Sequence, residues 1–401
     1  MSGNLAAGKD ALKKALIEAA SSLEAKLSAL SDSFYRHPET GLEEKTTSAA
    51  LQSCLESSGF RVENGIAGLP TAFRAAFGKG GPVIALLAEM DALPGIGHGC
   101  GHNIVGTASV GAALALKKAI GNLLEDSGGT LLVLGTPAEE LGRGKIDMLT
   151  AGVFDRVDAA MMVHPSSKRA VMKHFLGLKR LVFTFTGRAS HASAYPEEGI
   201  NALDAVIQTF NSINALRQQL KCDARVHGII TDGGKAPNII PDRAEAMFYV
   251  RAPEIKELDL LKDKVIKCAE GAAAATGASL TVSQPGETNA PMKLNHALAG
   301  LYREALEELG IAEDSDPPDK NVGSSDIGNV SQAVPAIHPN VPVRKGIHIH
   351  TREFADATIT DDGHKALMEG VKCLGLTALK LFIDPDAVKR VKADFMGNRP
   401  S

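Results

Sequence analysis

The chain has 401 residues, 44% hydrophobic and 22% charged, with a formal net charge of -4. That length exceeds one ordinary core and points to two domains of a globular protein. The small, mixed-sign charge gives no basic footprint for nucleic acid, and five scattered cysteines, an odd number, argue against a disulfide framework.

The first twenty residues carry Lys9, Asp10, Lys13, Lys14 and Glu18, so no signal-peptide core is expected there. No apolar run approaches the ~18 residues that a membrane span requires. A reducing, cytoplasmic location without membrane contact is the expectation.

In chain order, residues 11–34 read as one amphipathic helix, with Leu12, Leu16, Leu23, Leu27, Leu30 and Phe34 on one stripe. A second helix through Leu51 and Leu55 stops at Gly59. Residues 83–88 form an unbroken apolar run, typical of a strand buried on both faces. A helix is expected over 104–120, a strand over 130–134, then a further helix and an apolar strand over 157–163. This alternation predicts an α/β domain with a mainly parallel sheet.

From about His174 the texture changes. Strands are expected over 181–186, 225–231, 244–250 and 278–282, with helices over 200–220 and 255–275. The order β-α-β-β-α-β is the ferredoxin-like split unit. It reads as an insertion, because helix and strand patterns resume after Met292. The expected organisation is a catalytic α/β domain in two parts, 1–173 and 291–401, with a ferredoxin-like βαββαβ lid or dimerisation domain at 174–290.

The chemistry concentrates in Gly97-His98-Gly99-Cys100-Gly101-His102-Asn103 and in Pro137-Ala138-Glu139-Glu140. Thiolate, imidazole and carboxylate together are the ligand set of a zinc-type site. A second, neighbouring carboxylate is what a metal hydrolase needs as general base. Asp91, the Glu139-Glu140 pair and His164 each follow a different expected strand, and ligands gather outside the carboxyl ends of strands in open α/β sheets. Taken alone, Glu139-Glu140 would be a solvated helix start; its neighbours decide against that. The glycines at 95, 97, 99 and 101 lack the spacing of a phosphate loop. Cys54, Cys222, Cys268 and Cys373 read as small hydrophobes. His348 and His350 alternate along an apparent strand and would share one face, and the pattern does not choose between them.

These residues carry a resemblance. Cys100-Gly101-His102-Asn103, Pro137-Ala138-Glu139-Glu140, Val163-His164-Pro165 and His350-Thr351-Arg352-Glu353-Phe354 resemble the blocks of peptidase family M20 metallohydrolases, in the amidohydrolase branch with a cysteine in the metal site. Gly187 to Ala192 and Gly233 to Asp242 match in the inserted domain. Ser324 to Ser331, with Asn103 in place of the commoner aspartate, is similar to a narrower group that includes p-aminobenzoyl-glutamate hydrolase subunits and Xaa-Arg dipeptidase-like proteins.

The resemblance implies a centre of two divalent ions, zinc being expected and manganese or cobalt the alternatives. Cys100 would bridge them, His102 and His164 would complete one, and Glu140 and His350 the other. His350 is preferred to His348 because the family's ligand histidine stands just ahead of a Glu-Phe pair, here Glu353-Phe354. Asp91 would orient a ligand imidazole. The family's usual histidine two residues before Asp91 is Glu89 here, and His102 takes over that role. Glu139 is the implied general base, activating a metal-bound water for attack on an amide and passing the proton to the leaving amine.

His191 is implied to reach a neighbouring subunit's site and help hold the oxyanion, which would require a homodimer. Asn238 and Arg251 match positions that grip a substrate carboxylate, although an exposed strand charge is the plain reading of Arg251. The implied substrate is a small carboxylate-bearing amide: an N-acyl amino acid, a dipeptide or an aryl-glutamate. An auxiliary subunit is a further partner the narrower group brings into view. The alternative is a non-catalytic, metal-structured binding or regulatory protein of the same fold, against which an intact Glu139 speaks.

Overall fold

Two different hydrophobic patterns build two units in the computed structural model, which describes residues 2–126, 128–315 and 323–397. One unit comprises residues 2–174, 293–315 and 329–397; the other comprises 175–292 and 323–328.

The first unit opens with helices α1 (Ser2–Ser21), α2 (Glu24–Arg36) and α3 (Lys45–Glu56). Strands β1 (Arg61–Asn64), β2 (Phe73–Lys79) and β3 (Val83–Glu89) follow, then α4 (His102–Asp126), β4 (Gly129–Thr136), α5 (Gly144–Thr150), β5 (Ala159–Met161) and β6 (His164–Ser166). The single helix expected over 11–34 is two. Ser22 donates its hydroxyl to the Ala19 carbonyl at 2.7 Å, a local bond that competes with helix continuation, and the axis restarts at Glu24. The strand expected over 157–163 is shorter, β5 alone, and β6 begins just beyond it and pairs outside the main sheet.

The second unit holds β7 (Gly177–Thr186), α6 (Ala202–Leu216), β8 (Arg225–Asp232), β9 (Arg243–Ala252), α7 (Ile255–Thr276) and β10 (Ser279–Ser283). Its antiparallel sheet runs β10-β7-β9-β8, the ferredoxin-like arrangement. Alternate residues of β9 are buried, which gives the sheet one apolar face. There Phe183, Phe185 and Phe248 pack with Val206 and Ile213 of α6 and Val265 of α7. Asn201 starts α6 by accepting the N–H groups of Leu203 and Asp204.

The chain then completes the first unit with α8 (His296–Glu308), β11 (Ala336–Ile337), β12 (Asn340–Pro342), α10 (Arg352–Ala357), α11 (Asp361–Ile383) and α12 (Pro385–Gly397), with α9 (Ile327–Ala333) between α8 and β11. The main sheet runs β1-β2-β4-β3-β5-β11. The four strands β4, β3, β5 and β11 are parallel; β1 and β2 add an antiparallel edge. Strands β6 and β12 form a separate parallel pair.

Helix α4 is the hub of this unit and packs against α1, α11 and β3. It is also long and apolar enough to cross a membrane by length and composition, contrary to the expectation that no such stretch exists. In the fold 78% of its most apolar window is buried. A helix apolar all round is what the core of a large domain requires.

Gly106 sets how closely α4 approaches β3. A Cβ there would stand 2.7 Å from the Glu89 carbonyl oxygen and 3.2 Å from Leu51 Cδ1. Gly106→Ala therefore forces the first turn of α4 away from β3, at about 1–3 kcal/mol for an overpacked contact. Thermal unfolding should show a drop in Tm of several degrees.

Candidate metal centre

The parallel register lays Glu89, the last residue of β3, beside Thr136, the last of β4. The segments that follow emerge together: Asp91 from β3, and Pro137 to Glu140 from β4. His164 opens β6 just past β5, and His102 opens α4. Cys100 precedes α4 in a turn where Gly101 has φ of 78°, a conformation that residues with a Cβ disfavour. A Cβ on Gly101 would also stand 2.7 Å from Pro165 Cγ.

His348 and His350 do not lie on a strand. Strand β12 ends at Pro342, and both histidines lie in the irregular segment before α10, His350 in a turn. His350 has φ of 66°, and its N–H donates to the Gly99 carbonyl at 2.8 Å. This docks the turn on the Cys100 loop and brings His350 Nε2 to 3.0 Å from Cys100 Sγ. His348 is exposed and belongs to none of the metal-competent groupings among the described residues.

Two donor sets result. The ligand atoms of Cys100, His102 and His164 lie within 4.8 Å of one another, and so do those of Cys100, Glu140 and His350. Cys100 is common to both. The rings are held from behind: His102 Nδ1 meets the Asp91 carbonyl at 2.9 Å and Asp91 Oδ1 at 3.2 Å, and His164 Nδ1 meets the Pro165 carbonyl at 2.7 Å. A carbonyl only accepts, so each neutral ring carries its proton on Nδ1 and turns the Nε2 lone pair inward. Asp91 Oδ2 accepts the Glu140 N–H at 2.9 Å. Glu140 Oε1 is buried and makes no hydrogen bond within the described residues. Glu139 Oε2 stands 3.9 Å from His102 Nε2. Sulfur, nitrogen and oxygen donors in two sets sharing a thiol fit a pair of borderline divalent ions.

The electrostatics agree with that fit. Burial pushes the Cys100 thiol far above its usual range. Burial opposes the charged form of His102, but Glu89 and Asp91 outweigh it and hold the imidazolium. Without an ion the centre thus keeps protons on Cys100 and His102, the protons a divalent cation would displace. Burial alone would raise the Glu89 carboxyl; Lys145 and His102 hold it low instead. The Lys145 Nζ lies 2.6 Å from Glu89 Oε1, both groups fully buried. Burial keeps His164 neutral. It also depresses His338, which stacks on His164 with ring centroids 5.0 Å apart, to about 4.

Lys145, His98 and His338 were not singled out by the sequence patterns. His338 follows β11 as the other site residues follow their strands, but a two-residue strand has no readable period. A lysine in Gly142-Arg143-Gly144-Lys145 reads as solvated, and its burial is a tertiary fact. Asn103 is buried and donates to Ser31 Oγ at 3.0 Å and Thr358 Oγ1 at 3.1 Å, tying α4 to α2 and to the segment after α10.

The remaining expected site residues belong to the second unit. His191 and Asn238 are exposed on paired loops, where the Ala192 N–H donates to the Asn238 carbonyl at 3.0 Å and His191 bridges Ile239. Arg251 on β9 is partly buried; its Nη1 donates to Ser324 Oγ at 2.8 Å, and that hydroxyl donates to the Leu176 carbonyl at 2.6 Å. The guanidinium is therefore fixed by its own unit and is not a freely solvated charge.

His98 supplies a pH test. Burial holds it at about 3 in the fold against an ordinary value of 6.5. The unfolded chain takes up this proton first, so the stability tied to a neutral His98 is full above pH 6.5 and is lost as pH falls toward 3. Urea unfolding of the metal-free protein between pH 7 and pH 5 should show a shallower loss of stability in His98→Gln than in the parent. Equal slopes would mean that His98 gains its proton within the fold.

Comparison with known proteins extends these observations. Residues 85–378 match the model of peptidase family M20/M25/M40. An Xaa-Arg dipeptidase of Mus musculus is 36% identical over 403 residues, covering 97% of this chain and 93% of its own. One of the p-aminobenzoyl-glutamate hydrolase subunits of Escherichia coli (strain K12) is 38% identical over 303 residues, covering 71% of this chain and 62% of its own. Among solved structures, a putative aminohydrolase from methicillin resistant Staphylococcus aureus aligns with a TM-score of 0.77 at 20% identity, over 92% of this chain and 99% of that one. A dinuclear metal binding peptidase of the M20 family from Bacillus subtilis aligns at 0.71 and 21%, over 90% and 99%. At such identities the structures speak for the fold. The sequence matches and the fold together establish that this chain belongs to peptidase family M20/M25/M40, a family of amide-bond hydrolases.

Proposed function

We propose that the chain is an amidohydrolase of two divalent metal ions that cleaves a small, carboxylate-bearing amide. The observation that carries this reading is the pair of donor sets sharing Cys100, with Glu139 beside them. Cys100, His102 and His164 would hold one ion, and Cys100, Glu140 and His350 the other. The thiol favours zinc, with manganese and cobalt as alternatives. When bound, such ions acidify water and polarise a carbonyl oxygen.

The protein's own residues supply the rest. Asp91 fixes the ring of His102 and the backbone of Glu140. Glu139, carried by the same turn as Glu140, takes a proton from the attacking water and returns it to the leaving amine. Asn238 and Arg251 bind the substrate's free carboxylate, for which a planar guanidinium offers two parallel hydrogen bonds. His191 helps hold the oxyanion, acting from a neighbouring copy in a homodimer. Support for self-association comes from β8, an edge strand with Ile229 65% and Ile230 44% exposed; open, apolar edges are ordinarily covered. The names of the relatives direct the substrate search to dipeptides and to aryl-glutamates. Two distinct p-aminobenzoyl-glutamate hydrolase subunits of Escherichia coli are among those relatives, which keeps a second polypeptide in view.

The test is a mass-spectrometric panel of dipeptides, N-acyl amino acids and aryl-glutamates, run with and without chelator. Chelator-sensitive release of an amine is expected. Glu139→Gln should lower that turnover at least ~10²-fold, the scale of a lost general base, with metal content unchanged. Full activity in Glu139→Gln would move the base elsewhere. A metal-loaded protein that releases nothing would favour a binding protein or a missing second polypeptide.

A further inference from the structure

The turn that carries Glu139 and Glu140 is strained. Ala138, fully buried between Pro137 and Glu139, has φ of 56°. This left-handed conformation brings Cβ too close to the following carbonyl and is rare outside glycine, asparagine and aspartate. Such outliers persist where the surroundings over-determine them. Here two carboxylates do so, one on the N–H of Ala138 and one on the N–H of Glu140.

Asp91 is one, accepting the Glu140 N–H at 2.9 Å. The other is Glu44, at the start of α3 and 94 positions away in the chain, whose Oε1 accepts the Ala138 N–H at 2.9 Å. Its second oxygen accepts the Thr71 hydroxyl at 2.8 Å. Glu44 is fully buried and belongs to none of the metal-competent groupings among the described residues. A buried carboxylate is costly unless its oxygens are satisfied. One of them is satisfied by the backbone of the strained residue itself.

We infer that Glu44 is a positioning residue, whose carboxylate holds Ala138 in the left-handed conformation that aims Glu139, while Asp91 separately anchors Glu140. The inference rests on Glu139 being the base only for its catalytic consequence. Loss of Glu44 should let the base drift while the metal ligand on the same turn stays in place.

A double-mutant cycle tests it. In metal-free protein, Glu44→Ala should lower Tm by several degrees. Ala138→Gly should recover at least half of that loss, because glycine holds the left-handed conformation without a pin. Zinc stoichiometry of Glu44→Ala should equal that of the parent. On the amide identified by the panel, kcat should fall ~10–100-fold at unchanged KM, the scale of a misplaced reacting group, and Ala138→Gly should restore part of it. Glu44→Gln keeps an acceptor for the Ala138 N–H and should retain most of both stability and kcat. If Glu44→Ala does not fold, Glu44→Asp, one methylene too short to reach, replaces it in the cycle.

Additive Tm shifts would overturn the inference and make Glu44 an anchor of α3 only. Equal damage from Gln and Ala, or zinc lost together with activity, would do the same. Coupled Tm shifts with unaltered kcat would leave the pin standing and remove Glu139 as the base it aims.

Discussion

Both oxygens of Asp91 are committed, one to the ring of His102 and the other to the backbone of Glu140. That single buried carboxylate joins the end of β3, the start of α4 and the turn after β4. It can do so because β3 and β4 are parallel neighbours in register, so their carboxyl ends open side by side. The crevice at the carboxyl edge of a parallel sheet is where open α/β folds gather ligands. In this chain the crevice is filled with donors: a thiol, imidazoles and adjacent carboxylates. Gly106 lets α4 approach closely enough to deliver His102, and Gly101 lets the Cys100 loop pass under Pro165.

The same concentration of charge has to be neutralised. Glu89, Asp91, Glu139 and Glu140 converge on a rim where Glu89 and Asp91 are almost wholly buried. An unpaired buried carboxylate is strongly destabilising, and the fold answers in two ways. Lys145 is buried beside Glu89. A proton on His102 offsets part of the remaining charge when no ion is bound, and divalent cations are suited to replace it. His164, kept neutral by burial, offers a ligand nitrogen without adding positive charge, and His338, stacked on it, is held neutral in the same way. The electrostatic frame is thus set by residues that hold no ion as well as by those that would.

Much of this was legible in the sequence because the relevant signals are local. The apolar run at 83–88, typical of a strand buried on both faces, is β3 within the main sheet. The strands expected over 181–186 and 244–250 lie within β7 and β9, whose alternating burial follows from a sheet packed on one face. The strands β1 and β2 went unread: Arg61–Asn64 is short and mostly exposed, and Phe73–Lys79 is interrupted by Arg74 and Gly78. The alternation at His348 and His350 imitated a strand, but this segment is a turn whose form depends on docking against Gly99. Cys100, His102, Glu140 and His164 stood out by their spacing and their places at strand ends, whereas only the family resemblance separated His350 from His348. Glu44 and Lys145 did not stand out, since nothing local shows that a carboxylate at 44 will meet the backbone at 138, or that a lysine in a glycine-rich segment will be buried.

The central claim is that one thiol joins two ion sites. Metal analysis of zinc-reconstituted protein by inductively coupled plasma mass spectrometry, comparing the parent with Cys100→Ala, addresses it directly. The account predicts that the parent binds two ions per chain and that removing this one sulfur weakens both sites together, since each donor set includes it. Full occupancy of both sites in Cys100→Ala, or loss of one ion with the other undisturbed, would contradict a shared thiol.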